Sequence, residues 1–251
     1  MAKPAAHHNV RTPCHECPLR QYRQFREFTD PELDFMEGFK KGELIADRGA
    51  TIVAQASHGP HFYTVLWGMA FRYKLLEDGR RQILNYLFPG DLVGLQAVLL
   101  DEMQHSVEAL TPMRLCIFEK ERIGELYGRH ANLAYDVTWL AAQEERILDE
   151  HLLSIGRRSA LERAAYLLAF LSLRAQSLHR QAGINGSLPI TQMHVADTLG
   201  LSIVHTNKTL RKLQERGLVH WLERGCEVLD HEGLQQLAGW DPRLPEPRPF
   251  I

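Results

Sequence analysis

Cysteine is scarce in this chain, four residues in 251, and no apolar run is long enough to cross a bilayer. A spanning helix needs about 20 consecutive apolar residues, and the first residues carry no signal-peptide pattern. The expected location is therefore the cytoplasm, with no membrane partner. Thiols are kept reduced there, so these four point to metal, redox sensing or plain packing and away from structural disulfides. Net charge is also nearly missing, at −2. With 45% hydrophobic and 24% charged residues, a chain of this length can build a core, most simply as two modest domains.

The charge is unevenly placed. Between Gly156 and Gly225 stand ten Arg or Lys and four acids, which makes that segment +6 and leaves −8 for the remainder. A basic module joined to an acidic one suggests an anion-binding part controlled by a part that binds something else.

From Gly42 to Phe118 the chain is made of short runs such as "HFYTVLWG", "MAFRYKLL" and "QILNYLF", with Gly68, Gly79 and Gly90 at intervals of eleven residues. Evenly spaced short strands with glycine turns predict an antiparallel roll or jelly roll. Ahead of it, "DPELDFMEGF" reads as a short helix capped by Asp30, with Pro31 in its first turn. Glycine and proline then vanish from Leu133 to Ile155, which predicts one long helix. Ala134, Val137, Ala141, Glu144, Leu148, His151 and Ile155 follow a 3-4 alternation, the seam of a coiled coil and the expected dimer interface. Gly156 is the expected hinge, and Ser159 with Glu162 forms a capping box for the next helix.

The segment "TQMHVADTLGLSIVHTNKTLRKLQERGLV" carries the strongest local pattern. Thr191 caps one helix, Ala196 is small where two helices meet, Gly200 turns the chain, Ser202 caps a second helix and Gly217 stops it. "LVHWLERGCEVLD" then reads as strand, turn at Arg224-Gly225 and strand. That order predicts a winged helix-turn-helix whose second helix enters the major groove of DNA. Lys208 and Arg211 suit phosphate or guanine, Asn207 suits adenine, and Ile203 or Val204 can touch a thymine methyl. Thr191, Ser202 and His205 lie at the helix starts, where free N–H groups can hold a phosphate.

Roll, long helix, hinge and winged reader together resemble the CRP/FNR family of bacterial transcription regulators, over about Phe25 to Leu237. The segment "FPGDLVGLQAVL" is similar to the family's sensor signature. The resemblance implies an α+β chain divided into a cysteine-containing arm (1–24), a β-roll sensor (25–128), a dimerisation helix (129–156), a winged helix-turn-helix (157–237) and a tail (238–251). It also implies a homodimer on double-stranded DNA with a two-fold symmetric operator, RNA polymerase as a further partner, and no enzymatic activity. No H-x-H pair with a downstream acid stands in the roll to suggest a barrel oxygenase.

Two sensor positions depart from the cyclic-AMP-binding members. Leu95 stands where they carry Glu, and His105-Ser106 where they carry Arg-Ser, so cyclic AMP is not the expected effector. The chain is more similar to the oxygen-sensing, FNR-like branch: Cys14-x-x-Cys17 in the arm and Cys116 in the roll match three of its cluster cysteines. Thiolates are soft donors that suit iron, and the implied cofactor is an iron–sulfur cluster, 4Fe–4S or 3Fe–4S. The further arm cysteine is replaced by Arg23, so a fourth ligand would come from His7, His8, His15 or an acid. Zinc, a redox-active Cys14-Cys17 pair, or idle thiols remain the alternatives. Cys226 is expected to be structural, and His58, His61 and His105 to be loop or surface residues and not haem ligands. On the reader, Val204 and Lys208 replace the Glu and Arg of FNR-like relatives, so no operator sequence is carried over.

Overall fold

The computed structural model describes residues 6–8 (backbone only), 11–176, 178, 186–223, 225–242 and 247–251. Arg180, Arg224 and the side chains of His7 and His8 lie outside the described residues. The expected α+β architecture is present. One antiparallel sheet has the order β1 (Ala6–His8), β2 (Lys40–Ala46), β9 (Met113–Glu119), β4 (His61–Trp67), β7 (Leu92–Val93). The facing sheet runs β3 (Thr51–Val53), β8 (Ser106–Ala109), β5 (Ala70–Leu75), β6 (Arg81–Leu87).

Strand alternation sorts the side chains into two cores. Leu44, Val65, Leu115 and Ile117 fill the space between the sheets. Cys116, Phe118 and Phe62 face outward, beneath the arm and helix α1 (Asp30–Phe39). Gly68, Gly79 and Gly90 all take positive φ at turns, as their spacing predicts. At Gly90 a Cβ would come 2.6 Å from the Phe25 ring, so close packing as well as φ requires glycine there. The cap of α1 differs from expectation. Thr29 is its N-cap and Glu32 accepts from the Thr29 N–H at 2.8 Å, while Asp30 is already in the first turn.

Short helices α2 (Leu95–Leu100) and α3 (Ile123–Arg129) lead to α4 (Ala131–Arg157), 27 residues or about 40 Å long. Val137 and His151 are buried by their own chain, and Glu144 pairs with Arg72 of β5 at 2.9 Å. Ala141 is open, Leu148 and Ile155 are half-open, and Leu152 is 71% exposed. The stripe that stays accessible at heptad spacing is thus Thr138, Ala141, Glu145, Leu148, Leu152 and Ile155. It shares three residues with the expected seam and replaces Glu144 and His151 by their neighbours, because those two polar groups find partners inside the chain.

The Ser159–Glu162 capping box forms as expected, with Ser159 N–H donating to Glu162 at 2.7 Å. It opens α5 (Ala160–Gln176), which is buried along most of its length. The reader follows as α6 (Gln192–Leu199), α7 (Ile203–Glu215), the hairpin β10 (Val219–Leu222) with β11 (Gly225–Val228), and α8 (His231–Ala238).

Candidate functional site

The reader is built by its caps. Thr191 Oγ1 accepts from His194 N–H at 3.2 Å while His194 Nδ1 accepts from Thr191 N–H at 3.1 Å. Gly200 closes α6 at φ +64°, and Ser202 Oγ accepts from His205 N–H at 3.3 Å to open α7. Thr206, Thr209, Leu210 and Leu213 turn inward. Ser202, Ile203, Val204, His205, Asn207, Lys208 and Arg211 all lie on the exposed face, as does Thr191 at the start of α6. Arg211 leans on Glu215 at 2.9 Å, an exposed pair that is easily exchanged for a phosphate. The β-hairpin stands where the wing was expected.

Helix α6 is docked on the sensor. Arg81 of β6 meets Asp197 at 2.7 Å, Gln82 donates to the Thr198 carbonyl at 2.9 Å, and Tyr86 shares a 2.9 Å hydrogen bond with Thr198. The His194 ring lies tilted against Phe71, 5.0 Å between centroids. A second junction forms at Asp91, in the turn of the "FPGDLVG" signature. Its carboxylate accepts from Arg174 of α5 and from Arg248 of the tail, each at 2.8 Å, and from Phe88 N–H. Burial pushes the Asp91 carboxyl up, but the two guanidiniums and the N–H outweigh it and hold its pKa below the usual range. The tail is anchored further by Arg26 N–H to Arg248 O, Arg248 N–H to Gln24 O, and Phe250 against Phe25 and Phe28.

A cavity of ≈ 990 Å³ opens between the roll, α4 and α5, lined among others by Arg72, Leu95, His105, Glu144, Phe170 and Arg248. His105, expected as a loop or surface residue, does lie in the loop just before β8 but is buried there. Burial, then the nearby charges of Arg72 and Lys74, lowers its pKa to about 3, so it is neutral at physiological pH. Arg72 faces the same space but is already matched by Glu144. At the positions of the sensor signature the cavity thus offers a neutral imidazole at His105 and an aliphatic Leu95. His58 is exposed and His61 half-buried.

The arm folds back onto the roll. Thr12 N–H donates to Glu43 at 2.6 Å, Cys14 N–H to Glu37 at 2.5 Å, and the buried Lys40 ammonium reaches both the Thr12 carbonyl at 2.8 Å and Glu43 at 2.7 Å. Cys14 and Cys17 pack against the outer core that contains Cys116, and the three thiols lie within electrostatic reach of one another and of Lys40. Burial first, then Glu37, raises the Cys14 thiol to about 12; burial likewise pushes Cys17 and Cys116 up, while Lys40 pulls all three down. Unliganded, these thiols keep their protons, and reactive thiolates are what disulfide exchange needs.

Among the described residues no three His, Cys, Asp or Glu side chains surround a point where a single ion would sit. His15 points outward and pairs with Asp34 at 3.3 Å, and Arg23 is exposed. Cys226 is buried in the wing, away from this group. Lys40 and Glu43 carry no signal in the sequence beyond charged residues interrupting an apolar strand, Glu37 is one acid among several on α1, and Asp91 is marked only by its place in the turn of the sensor signature.

Comparison with known proteins agrees with this geometry. Residues 43–130 match the cyclic nucleotide-binding domain family and residues 162–237 the Crp-like helix-turn-helix domain family. The chain is 30% identical over 225 residues to the nitrogen fixation regulation protein FixK of Bradyrhizobium diazoefficiens, covering 90% of this chain and 93% of that one. It is 27% identical to the transcriptional activator protein FnrL of Cereibacter sphaeroides, covering 91% and 92%. The solved structure of FixK2 from Bradyrhizobium japonicum superposes with a TM-score of 0.67 at 25% identity, covering 81% of this chain and 98% of that one. These relatives are regulators and not enzymes, and with roll, long helix and winged reader in place the chain belongs to the CRP/FNR family of DNA-binding transcription regulators.

Proposed function

We propose that this regulator acts in the cytoplasm as a homodimer that senses oxygen or redox state through an iron–sulfur cluster, 4Fe–4S or 3Fe–4S, held by Cys14, Cys17 and Cys116. The observation that supports the reading is the docked arm, whose half-buried Cys14 and Cys17 pack against the core that contains the buried Cys116. When bound, the cluster supplies chemistry that oxygen can alter. The protein's own part is to hold the arm on the roll through Lys40, Glu43 and Glu37 and to keep water from the thiols.

The output is DNA binding by α7. Lys208 and Arg211 neutralise phosphates or reach guanine, Asn207 pairs with adenine, Ile203 and Val204 meet thymine methyls, and Thr191, Ser202 and His205 hold backbone phosphates. Two copies joined along α4, through Ala141, Leu148 and Ile155 with the exposed Leu152, present two readers to a two-fold symmetric operator. RNA polymerase is the further partner. Val137, Glu144 and His151 serve the same helix from its inner side: Glu144 through Arg72 and His151 through a 2.7 Å hydrogen bond to Tyr166 link α4 to the roll and to α5. A change in the arm then shifts the population of reader orientations.

Anaerobic reconstitution tests the sensor. The wild-type chain takes up iron and sulfide and turns brown, Cys14→Ser and Cys116→Ser do not, and Cys226→Ser does. A colourless, iron-free wild type under the same conditions refutes the reading.

A further inference from the structure

We propose that residues 247–251 are an autoinhibitory latch: docked on the sensor, they hold the reader against the roll and lower its affinity for DNA. The inference needs only DNA binding by the reader and is independent of any metal or cluster.

The first observation is how the end of the chain is held. Phe25 and Arg248 form a parallel bridge, with Arg248 N–H donating to the Gln24 carbonyl at 2.7 Å and Arg26 N–H to the Arg248 carbonyl at 2.9 Å. The Arg248 guanidinium donates to Asp91 at 2.8 Å and to the Gly90 carbonyl at 3.0 Å, and it lies over the Phe25 ring. Phe250 and Ile251 are each 4% exposed, and the Phe250 ring sits 5.0 Å from Phe25 and 4.8 Å from Phe28. Pro247 and Pro249 have no N–H, so Arg248 supplies the sole backbone donor of that triplet, and it is paired. Chain ends fray unless they are tied down. This one is tied by backbone, charge and aromatic contact together.

The second observation is what the tail joins. Trp240, just beyond α8, packs on Tyr166 and Phe170 of α5, and the Ala238 carbonyl accepts from Arg158 at 2.9 Å. Those contacts fix the reader end of the tail. From Pro242 to Pro247 the chain takes five steps, which span at most about 18 Å. While residues 247–251 stay docked, the reader is confined within that reach of residues 24–26. Arg174 of α5 closes on the same Asp91 carboxylate as Arg248, so the body of the reader and its tail share one anchor.

The third observation is what is being held. In a helix-turn-helix the first helix crosses the DNA backbone, and here Asp197 and Thr198 of that helix, α6, are engaged by Arg81, Gln82 and Tyr86 of the roll. Residues 156–225 carry +6 of a net −2, which leaves −8 on the rest of the chain. A docked sensor therefore sets an acidic body beside the basic reader, where it repels phosphate. Releasing the tail frees α6 and lets the two bodies part.

The test compares the full chain, a chain lacking residues 247–251, and Phe250→Ala. Fluorescence anisotropy measures binding to a labelled mixed-sequence duplex of about 40 base pairs at low salt. Hydrogen exchange follows α6, and circular dichroism checks each fold. A docked state populated at about 90% weakens apparent affinity about tenfold, so the truncated chain is expected to bind about tenfold more tightly, with faster exchange in α6. Truncation removes a cation, and simple electrostatics predicts weaker binding, so tighter binding is the signature of the latch. Phe250→Ala shifts affinity the same way by a smaller factor and carries the test if the truncated chain does not fold. Affinity within about twofold of wild type in both variants, or weaker binding with unchanged circular dichroism, overturns the latch.

Discussion

Asp91→Asn replaces the carboxylate at the sensor–reader junction by an amide of the same shape. The carboxylate is the shared counter-charge of Arg174 and Arg248, whose side chains are 7% and 16% exposed. The amide keeps one acceptor oxygen and leaves two guanidiniums facing each other with no negative charge between them. Breaking a buried pair by removing one partner costs about 3–5 kcal/mol. For a chain of this size, each kcal/mol lowers the melting temperature by about 2–4 °C, so the variant should melt roughly 6–20 °C below wild type. Thermal unfolding followed by circular dichroism measures it, and a double-mutant cycle with Arg248→Met isolates the tail's share. The pH dependence adds a second constraint. The pKa of Asp91 is held below its unfolded value, about 3.9, so its stabilising contribution is full above that value and fades as the pH falls through the lower, folded value. The gap between wild type and variant should stay constant from about pH 8 to 5 and narrow only in more acid solution. A variant melting within about 2 °C of wild type at neutral pH would refute the junction's role.

Replacing Lys208 and Arg211 together by alanine should weaken DNA binding and, with two readers per dimer each losing two cations, flatten its salt dependence by about 3–4 in log–log slope; gel shifts across a salt series measure this, and unchanged binding removes α7 as the reading helix. Cyclic AMP at millimolar concentration should leave the melting temperature where it was, since His105 is neutral and Arg72 is paired; a rise of several degrees would show that the cavity accepts a phosphodiester after all. Leu152→Glu, on the exposed face of α4, should convert dimer to monomer in sedimentation velocity without changing circular dichroism, and a variant that stays dimeric places the interface elsewhere.

Local signals in the sequence were reliable because their physics is local. The Ser159, Thr191 and Ser202 caps, the turn glycines and the long helix each depend on a few adjacent residues. The cap of α1 was misplaced by one residue because Thr29 and Asp30 are both good caps, and only the reach of Glu32 back to Thr29 decides between them. The seam of α4 was harder. Its spacing is legible, but which polar residues turn inward depends on Arg72 and Tyr166, distant in sequence. Asp91 meets partners 83 and 157 residues away. Nothing near Lys40 or Glu43 signals that both lie under the arm, since that follows from strand register and not from spacing along the chain.

The docking of α6 on β6 has a consequence for how this regulator can be re-engineered or can diverge. Arg81, Gln82 and Tyr86 belong to the sensor's covalent module, yet they form the bed on which the first helix of the reader lies. The two halves are therefore not interchangeable cassettes. A chimaera that transplants this reader onto a foreign roll inherits Asp197 and Thr198 without their counterparts. Gly156, the expected hinge, lies inside α4, which runs on to Arg157, so grafts cut after α4 should work only when those three β6 side chains are carried over as well.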